Sequence, residues 1–259
     1  MQSIPSTPVK KVSSMRKLGL GAWRHPRDPS VHVQLDIDIT QTVDDLKQRP
    51  KVTLNHVVIY WFSKLLHDIP SLNRAIIGNT FRQRLKQRIF IPTVFRHNGM
   101  LDLNGVVLDN MHTQSLEAIA DTLKQKVQAL RKNENKHVLR VVRIFKWIPG
   151  WLCRPLVSFV NILQYRCNIS LGLFGLPNDA FGALSITFLN KFHVKYANVP
   201  IFPLSRSSLA IGVGQTYVEQ GKVLLPLNVT FDHRYFDGFD GHLAIKKLRK
   251  MIRDGLPSS

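Results

Sequence analysis

The residues of this chain best suited to chemistry are His233 and Asp237, in the run Phe231-Asp-His-Arg-Tyr-Phe-Asp-Gly238. An imidazole ordinarily titrates near neutral pH, so it can accept a proton in one step of a reaction and return it in a later step. A histidine held at a strand end beside a carboxylate is placed to act as a general base. The spacing His-x-x-x-Asp-Gly is short enough to arise by chance, so the neighbouring elements decide how it is interpreted.

The elements on either side place this run at a strand-to-helix junction. Residues 222–231 are rich in branched apolar side chains and predict a buried strand. Residues 238–253 predict a helix, because their apolar residues recur at helical spacing. These residues are Leu243, Ala244, Leu248, Met251 and Ile252. A histidine at such a junction is held firmly by both elements and can still be reached by a substrate.

The first half of the chain predicts a half-buried strand followed by helices. Apolar and polar residues alternate over residues 31–39, which is the pattern of a strand with one buried face. Residues 42–49 predict a short helix. Thr53 predicts the cap of a second helix, over residues 54–68, whose apolar circumference belongs in a core. The histidines of that helix, His56 and His67, have no accompanying motif and are expected to be structural.

The remaining patterns predict a fold of the α/β class. Strands are predicted over residues 88–94, 183–188 and 208–214, and a helix over residues 114–133. A hairpin is predicted after the first of these strands, through Asn98-Gly99 or Asn104-Gly105, and Gln220-Gly221 predicts a turn into the strand that delivers His233. Together they predict a two-layer sandwich of a mixed β-sheet and helices.

Length and cysteine content predict one domain in a reducing compartment. The chain has 259 residues, 44% of them hydrophobic, so it can bury a full core as a single domain over residues 1–259. Residues 1–27 form an N-terminal arm in this division, and residues 134–178 form an amphipathic insertion. Cys153 and Cys167 have neither metal-ligand spacing nor a disulfide framework and are expected to be inert packing residues. No secretory leader is recognisable, so a cytoplasmic location is expected.

The net charge of +19 is concentrated in three segments of the chain. Residues 1–27 carry six Lys and Arg and no acid, residues 81–96 carry five and no acid, and residues 124–154 carry nine with one Glu. The rest of the chain is neutral. Such local positive fields attract anionic lipid, nucleic acid or a phosphorylated ligand such as coenzyme A, although a merely solvated basic surface gives the same pattern. No motif for binding RNA or DNA is legible, so nucleic acid is not an expected partner.

The chain resembles the catalytic domain of the 2-oxoacid dehydrogenase acyltransferases, a family that shares its fold with chloramphenicol acetyltransferase. The resemblance rests on the order of elements and on five local matches outside residues 134–178. These are Asp232-His-Arg-x-x-Asp-Gly238, Leu209-Ala-Ile-Gly-Val-Gly214, Pro200-Ile-Phe-Pro203, Val33-Gln-Leu-Asp-Ile-Asp-Ile-Thr40 and the helix that ends in Ile69-Pro-Ser-Leu-Asn73. Asp232 favours this branch, because the related condensation and chloramphenicol enzymes usually have a second histidine there. The resemblance therefore implies a chloramphenicol acetyltransferase-like fold.

The resemblance also implies roles for particular residues. His233 becomes the base that deprotonates a thiol or hydroxyl, which then attacks an acyl thioester. Asp237 becomes a structural anchor that pairs with an arginine near the N-terminus, and either Arg24 or Arg27 can be that partner. In the family a Ser or Thr hydroxyl stabilises the oxyanion of the tetrahedral intermediate.

The hydroxyl position of the family falls on the strand Ser185-Ile-Thr-Phe-Leu-Asn190. This match makes Thr187 the expected oxyanion donor and places Ser185 beside the substrate on the same strand face. Phe188 and Asn190 depart from the small residues that the family usually has at these positions. An ordinary strand threonine is the alternative interpretation of Thr187.

Donor, acceptor and assembly follow from the same resemblance. No lipoyl-bearing or subunit-binding domain is recognisable, so the chain resembles stand-alone members, for which acyl-coenzyme A or another soluble thioester is the simpler donor substrate. No tightly bound cofactor and no metal are expected. The acceptor is a small molecule or a lipid-like molecule. The family places its site between subunits, which implies a homotrimer.

The insertion predicts contact with a surface. It contains Trp147 and Trp151 among basic residues, and its charges and prolines interrupt it too often for a transmembrane helix. A segment lying on an anionic membrane fits this pattern, with peripheral attachment to the inner face of the cell membrane. The same residues could instead line a lipophilic tunnel or cover a neighbouring subunit. A non-catalytic scaffold that binds a membrane or a partner through its basic segments is the alternative to an acyltransferase.

Overall fold

A mixed β-sheet of seven strands is the centre of the fold. The computed structural model describes residues 29–77, 80–97, 100–132, 149–172, 179–202 and 205–257. The strands are β1 (Ser30–Asp38), β2 (Arg74–Ile77), β3 (Thr80–Gln83), β4 (Arg88–His97), β5 (Met100–Asp109), β6 (Leu184–Phe188), β7 (Leu209–Val213), β8 (Tyr217–Glu219) and β9 (Lys222–Asp232). The helices are α1 (Thr40–Lys47), α2 (Leu54–Asp68), α3 (Leu116–Arg131), α4 (Gly150–Asn161) and α5 (Gly238–Arg253).

The order of strands in the main sheet is β1-β9-β7-β6-β4-β5, and β8 pairs with β9. β6 lies parallel to both β4 and β7, whereas the other described pairs of this sheet are antiparallel. β2 and β3 form a separate two-stranded sheet. The prediction of an α/β fold with a mixed sheet is therefore confirmed.

The two faces of the main sheet differ in polarity, as β6 illustrates. Leu184, Ile186 and Phe188 are buried in the hydrophobic core, while Ser185 and Thr187 alternate with them and are half-buried on the opposite face. Side chains on successive strand residues point to opposite faces, so this alternation assigns each residue of β6 to one layer. The helices cover the apolar face.

Helix α2 is the principal helix of that core. Trp61, Ile59 and Leu66 are at most 1% exposed, and burying each such side chain stabilises the fold by about 1.5–3 kcal/mol. The helix begins after Thr53, whose backbone N–H donates to His56 Nδ1 over 3.0 Å, and it ends just before Pro70. The predicted bounds of α2 and α5 match the structure.

A cavity of about 80 Å³ interrupts the core between the sheet and the pair of helices α2 and α5. Helix α5 faces it with Gly241, Ala244, Ile245 and Leu248. The first two of these residues have little or no side chain, so the N-terminal half of α5 leaves space that the other half fills. At roughly 24 cal/mol per Å³, such a void costs about 2 kcal/mol of stability when it is empty.

The structure decides between two turns that the sequence left open. His97 pairs with Met100, so the hairpin joins β4 to β5 through positions 98 and 99, which lie outside the described residues. Asn104 and Gly105 lie inside β5 instead. The predicted turn at Gln220-Gly221 is confirmed, since both residues have positive φ between β8 and β9.

The insertion contributes one helix, α4, to the described part of the chain. Trp151 is 78% exposed and Phe159 is 58% exposed on this helix, and a π-helical turn, Ile162–Arg166, follows it. Cys167 is a free and exposed thiol, so the expectation that it is a packing residue was wrong. Among the described residues, no helix is long and apolar enough to cross a membrane.

Candidate active site

His233 lies in a turn that directly follows strand β9. Its backbone N–H donates to the carbonyl of Pro29 over 3.0 Å, which ties the turn to the chain just before β1. The imidazole is exposed, and its ring centre lies 6.3 Å from that of Phe231. Among the described residues it accepts or donates no side-chain hydrogen bond, so both ring nitrogens can meet a substrate.

Asp232 and Arg234 hold the backbone on either side of His233. The carboxylate of Asp232 is buried and accepts the backbone N–H of Arg234 over 2.9 Å. It also accepts three side-chain hydrogen bonds from the guanidinium of Arg234, at 3.0 and 3.1 Å from Nε and 2.6 Å from Nη2. These bonds raise the pKa of Arg234. The turn is therefore fixed by its own charged pair, a role that the sequence analysis did not assign to Asp232.

Tyr235 secures the same turn from the opposite end. Its backbone N–H donates to the carbonyl of Asp232 over 3.0 Å, and its hydroxyl donates to the carbonyl of Arg206. The hydroxyl also accepts the backbone N–H of Ile76. Burial raises the pKa of the Tyr235 phenol, which keeps it a hydrogen-bond donor at any ordinary pH. The turn that carries His233 is thus bonded to β2 through Ile76 and to the segment before β7 through Arg206.

Asp237 begins helix α5. Its carboxylate accepts the backbone N–H groups of Phe239 and Asp240, at 2.8 and 3.2 Å, and caps the first turn of the helix. The predicted partners of this carboxylate, Arg24 and Arg27, lie outside the described residues, so that pairing stays a prediction. The cap alone gives Asp237 a structural function at the junction.

Thr187 and Ser185 lie on the face of β6 that is turned away from the helices. Both are half-buried, and within the described ranges neither hydroxyl has a hydrogen-bond partner. A hydroxyl that is shielded but uncommitted can donate to an oxyanion without first breaking another bond. The positions of both residues on one strand face agree with the prediction, and their catalytic roles stay predictions.

Within one chain the sheet register separates His233 from Thr187. Thr187 pairs with Gly212 of β7, and Gly212 pairs with Asn228 of β9, so Thr187 is level with Asn228. His233 lies five residues beyond Asn228. Two strand spacings of about 4.8 Å and five residues of about 3.4 Å place the two Cα atoms roughly 19 Å apart. A single chain does not bring these two side chains together.

A strap formed by residues 194–202 crosses the polar face of the sheet beside Thr187. A Cβ on Gly214 would lie 2.0 Å from the carbonyl oxygen of Lys195, and a Cβ on Gly212 would lie 3.0 Å from that of Ala197. The two glycines of the Leu209-Ala-Ile-Gly-Val-Gly214 run are thus needed for close approach of the strap. Tyr196 anchors the strap to β1 by donating from its hydroxyl to the carboxylate of Asp36, at 2.9 and 3.0 Å.

Asn228 is a buried polar residue of this face that sequence reasoning missed. Its side-chain amide donates to the carbonyls of Gly212 and Lys195, at 3.2 and 3.5 Å, and so joins β9, β7 and the strap. Its Oδ1 atom is buried without a partner among the described residues. The signal was present in the sequence, because Asn228, Thr230 and Asp232 alternate with apolar residues along β9.

The histidines of α2 are structural, as expected. His56 accepts a backbone hydrogen bond from Thr53, and burial lowers its pKa. His67 bonds to Asp68 over 2.9 Å and stacks on His112 with ring centres 4.5 Å apart. Burial raises the pKa of Asp68, but hydrogen bonds from His67, Lys247 and Lys64 outweigh it and bring that pKa to about 2. Lys247 belongs to α5, so this cluster joins the two helices.

No group of three or more metal-binding side chains comes together in the part of the chain that the structure describes. The candidate site presents an imidazole, that of His233, and two hydroxyls, those of Ser185 and Thr187. An imidazole can move a proton, and a hydroxyl can donate to a developing negative charge. Both functions are those that acyl transfer requires.

Solved structures share this architecture over nearly their whole length. The truncated catalytic core of a 2-oxoacid dehydrogenase complex from Thermoplasma acidophilum matches with a TM-score of 0.61 at 18% identity, covering 96% of this chain and 99% of that one. The dihydrolipoamide acetyltransferase of Azotobacter vinelandii matches with a TM-score of 0.59 at 17% identity, covering 98% of each chain. A chloramphenicol acetyltransferase matches with a TM-score of 0.50 at 12% identity, covering 93% of this chain and 96% of that one.

The chain has the chloramphenicol acetyltransferase-like fold. That part of the sequence prediction is confirmed, because the element order, the mixed sheet and the full-length matches agree. No family model and no curated protein sequence matches the chain. At identities this low the likeness concerns the fold.

Proposed function

We propose that the chain is an acyltransferase that moves an acyl group from a thioester to a thiol or hydroxyl acceptor, with His233 as the general base. The observation that carries this proposal is the exposed imidazole of His233. It has no hydrogen-bond partner among the described residues, and it lies on a turn fixed by Asp232, Arg234 and Pro29 in a fold shared with known acyltransferases. Acyl-coenzyme A is the simplest donor, since the basic segments attract a phosphorylated ligand.

The proposed reaction needs one proton to move twice. The imidazole of His233 accepts the proton from the acceptor S–H or O–H as the sulfur or oxygen attacks the thioester carbonyl. The carbonyl π electrons pass to oxygen and form a tetrahedral oxyanion. When the oxyanion collapses, the carbon–sulfur bond breaks, and the departing thiolate takes the proton from the imidazolium. No cofactor and no metal takes part in these steps.

Thr187 is the proposed hydrogen-bond donor to the oxyanion, with Ser185 beside the substrate. The separation of roughly 19 Å between Thr187 and His233 in one chain requires that the two come from different subunits. A cyclic homotrimer meets this requirement, because each interface would then pair one chain's His233 with its neighbour's Thr187. Phe239 and Leu243 are exposed apolar residues in the first half of α5, the helix that follows the His233 turn, and the proposed interface would bury them.

Two of the solved structures support the assembly and the choice of residue types. One describes the cubic core of a pyruvate dehydrogenase complex, with a TM-score of 0.58 at 16% identity. The Azotobacter enzyme is described with a serine, a histidine and an asparagine in its catalytic mechanism. His233 and the hydroxyl pair Ser185 and Thr187 supply two of these three chemical types. The predicted pairing of Asp237 with Arg24 or Arg27 would hold the turn within such an assembly.

A mixed-subunit experiment tests a site shared between chains. Chains with His233→Ala and chains with Thr187→Val are co-expressed with different tags, and trimers that contain both are purified. Acyl-coenzyme A turnover, followed by release of free thiol, should be absent in either pure variant and present in the mixture, because some interfaces pair an intact His233 with an intact Thr187.

Two results would contradict this assignment. Mixed trimers without recovered turnover would exclude a shared site, and so would a wild-type chain that is monomeric and fully active. Wild-type protein that turns over no thioester, although it folds and assembles, would favour a non-catalytic scaffold. Catalysis and assembly are thus measured separately.

We also propose that helix α4 attaches the protein to an anionic membrane surface, on the cytoplasmic side of the cell membrane. Trp151, Leu152, Phe159 and Ile162 are exposed on α4 and its continuation, and they recur at the spacing of one helical stripe. Residues 135–178 contain six Lys and Arg and no Asp or Glu. Apolar burial in the interface and attraction to acidic headgroups would therefore act together.

Liposome co-sedimentation tests this attachment. Wild-type protein should bind vesicles that contain phosphatidylserine, lose binding as salt is raised, and ignore neutral vesicles. Trp151→Ser should weaken binding several-fold, because an aromatic anchor is lost. Leu85→Ser is the matched control, since Leu85 is an exposed apolar residue outside the insertion. Equal binding to neutral and acidic vesicles would contradict electrostatic attraction to the membrane. Loss of trimers in Trp151→Ser would show instead that α4 contacts a neighbouring subunit.

A further inference from the structure

The cavity between the sheet and helices α2 and α5 has the lining of a hydrocarbon site. Every residue that lines it is apolar or glycine, from β1, β7 and β9 on one side and the helices on the other. An apolar cavity of this kind offers no hydrogen bond to water and takes apolar ligands instead. Native cores leave few voids larger than a water molecule, so a space of about 80 Å³ is unusual.

The size of the cavity limits what it can hold. An engineered cavity of about 150 Å³ admits benzene, and the present cavity is about half as large. It therefore fits a narrow chain of roughly three to five carbons better than a ring. The cavity has no polar lining that could recognise a headgroup, so only the apolar part of a ligand would enter it.

The position of the cavity links it to His233. Phe231 and Phe236 line the cavity and pack together with ring centres 5.1 Å apart. The imidazole of His233 lies beside Phe231, at 6.3 Å between ring centres. Phe231 thus lies both in the cavity wall and beside the candidate base.

Helix α5 keeps the cavity open through one residue in particular. Gly241 lines the cavity, and a Cβ built there meets no atom within 4 Å. A larger side chain at this position can therefore enter the empty space without clashing with backbone. Ala244, one turn further along, faces the same space.

We propose that this cavity binds the hydrocarbon chain of the acyl group, an unbranched chain of about three to five carbons. This inference rests on the proposed acyl transfer, since it places the carbonyl end of the chain on the His233 side. Each buried methylene favours binding roughly fourfold. Butyryl-coenzyme A should therefore bind roughly fifteenfold more tightly than acetyl-coenzyme A, because it buries two more methylenes.

Calorimetric binding of coenzyme A, acetyl-coenzyme A and butyryl-coenzyme A to the full chain tests the cavity without requiring turnover. Gly241→Leu fills the space and should abolish the preference for butyryl while leaving the affinity for free coenzyme A unchanged. His242→Leu is the matched control, because it adds the same side chain to the exposed side of α5 and should keep the preference. Ala244→Leu provides a second filling variant in case Gly241→Leu does not fold.

Each result of these binding measurements either supports or contradicts the proposed acyl-chain site. Equal affinities for acetyl and butyryl thioesters, or no thioester binding by wild type, would overturn the inference. A butyryl preference that survives both filling variants would place the chain elsewhere and overturn it as well. Thioester turnover is measured in separate assays, so selective binding without turnover would refute the proposed catalysis and leave the cavity assignment standing.

Discussion

The two faces of strand β6 carry side chains with opposite functions. Ile186 is fully buried against the helices and has an apolar environment on all sides. Thr187, the next residue, is half-buried on the other face, and its hydroxyl is uncommitted among the described residues. Alternate residues of one strand can therefore serve two purposes. One set stabilises the core, and the other set presents a hydroxyl on the opposite face.

The same division applies to β9, from which His233 emerges. Leu225, Leu227 and Phe231 belong to the core, whereas Asn228 and Asp232 make polar contacts on the other face and at the turn. Variants on the two faces should therefore separate into those that change turnover and those that change stability.

The largest expected effect belongs to His233. Replacing it with alanine should lower thioester turnover by about two to four orders of magnitude, because the base that moves the proton is lost. The exposed side chain makes no described hydrogen bond, so the unfolding midpoint in urea should stay that of wild type. Turnover that is unchanged in a folded variant would refute the assignment of the base.

Thr187→Val should lower kcat by about 10²–10³, the usual loss for one oxyanion donor. Valine has nearly the shape of threonine, and the lost hydroxyl has no partner within the described ranges, so stability should change little. Steady-state kinetics and urea unfolding on the same preparation check both parts. Ser185→Ala is the control on the same face and should affect the KM more than the kcat. If Thr187→Val lost much stability but kept normal turnover, Thr187 would be a structural residue and not the oxyanion donor.

Ile186→Ala should have the opposite profile from its neighbour. Removal of this buried side chain should lower the free energy of unfolding by about 2–5 kcal/mol. Turnover per folded molecule should stay within a few-fold of wild type, because Ile186 faces the helices. Denaturant unfolding monitored by tryptophan fluorescence gives the first quantity. Equal stability of Ile186→Ala and wild type would show that the apolar face does not hold the sheet.

The smallest expected effect concerns Asp68, which joins α2 to α5 on the helical side. Its pKa in the folded chain is about 2, below the ordinary value of 3.8. A lowered pKa contributes stability that is fully present above about pH 4 and is lost as the pH falls through about 2. After allowance for solvent screening, Asp68→Asn should cost about 1 kcal/mol at pH 7.

Urea titrations of Asp68→Asn and wild type at pH 7 and pH 3 measure this difference. The gap between the two proteins should shrink at pH 3, because Asp68 is then largely protonated in the unfolded wild-type chain, where its pKa is the ordinary 3.8, and still ionised in the folded chain. Asp44→Asn is the control, since Asp44 is an exposed residue of α1 in a surface pair. A gap that is the same at both pH values would mean that the charge of Asp68 does not stabilise the fold.

Local patterns predicted the elements of this fold well, because the physics that forms them is local. The bounds of α2 and α5 follow from a cap at one end, Pro70 near the other end of α2, and apolar residues at helical spacing. The alternation in β1 predicted its buried face correctly. The hairpin of β4 and β5 had two equally good turn signals, and only the pairing of whole strands could choose between them.

Short sequence patterns could not predict the features that depend on residues far apart in the chain. The resemblance indicated His233 and Thr187, but their separation depends on the register of β6, β7 and β9, which no short motif records. The hydrogen bonds that Arg234 donates to Asp232 are local, but the alternation of polar and apolar residues along β9 does not show which residue binds this carboxylate. Cys167 was expected to be an inert packing residue, because it has neither metal-ligand spacing nor a disulfide framework, and it lies instead on the exposed surface near the end of the insertion.

The pairing of β1 with β9 joins Ser30 to Asp232, across most of the length of the chain. Contacts between residues so distant in sequence form slowly, because a long loop must close before any of them is made. On the ribosome β1 emerges before β9, and it cannot gain this neighbour until residues 39–221 and β9 itself have been synthesised. Strand β9 and the turn that bears His233 therefore join β1 late in folding. Until then the apolar side of β1 needs protection from aggregation, by a chaperone or by rapid collapse onto α2.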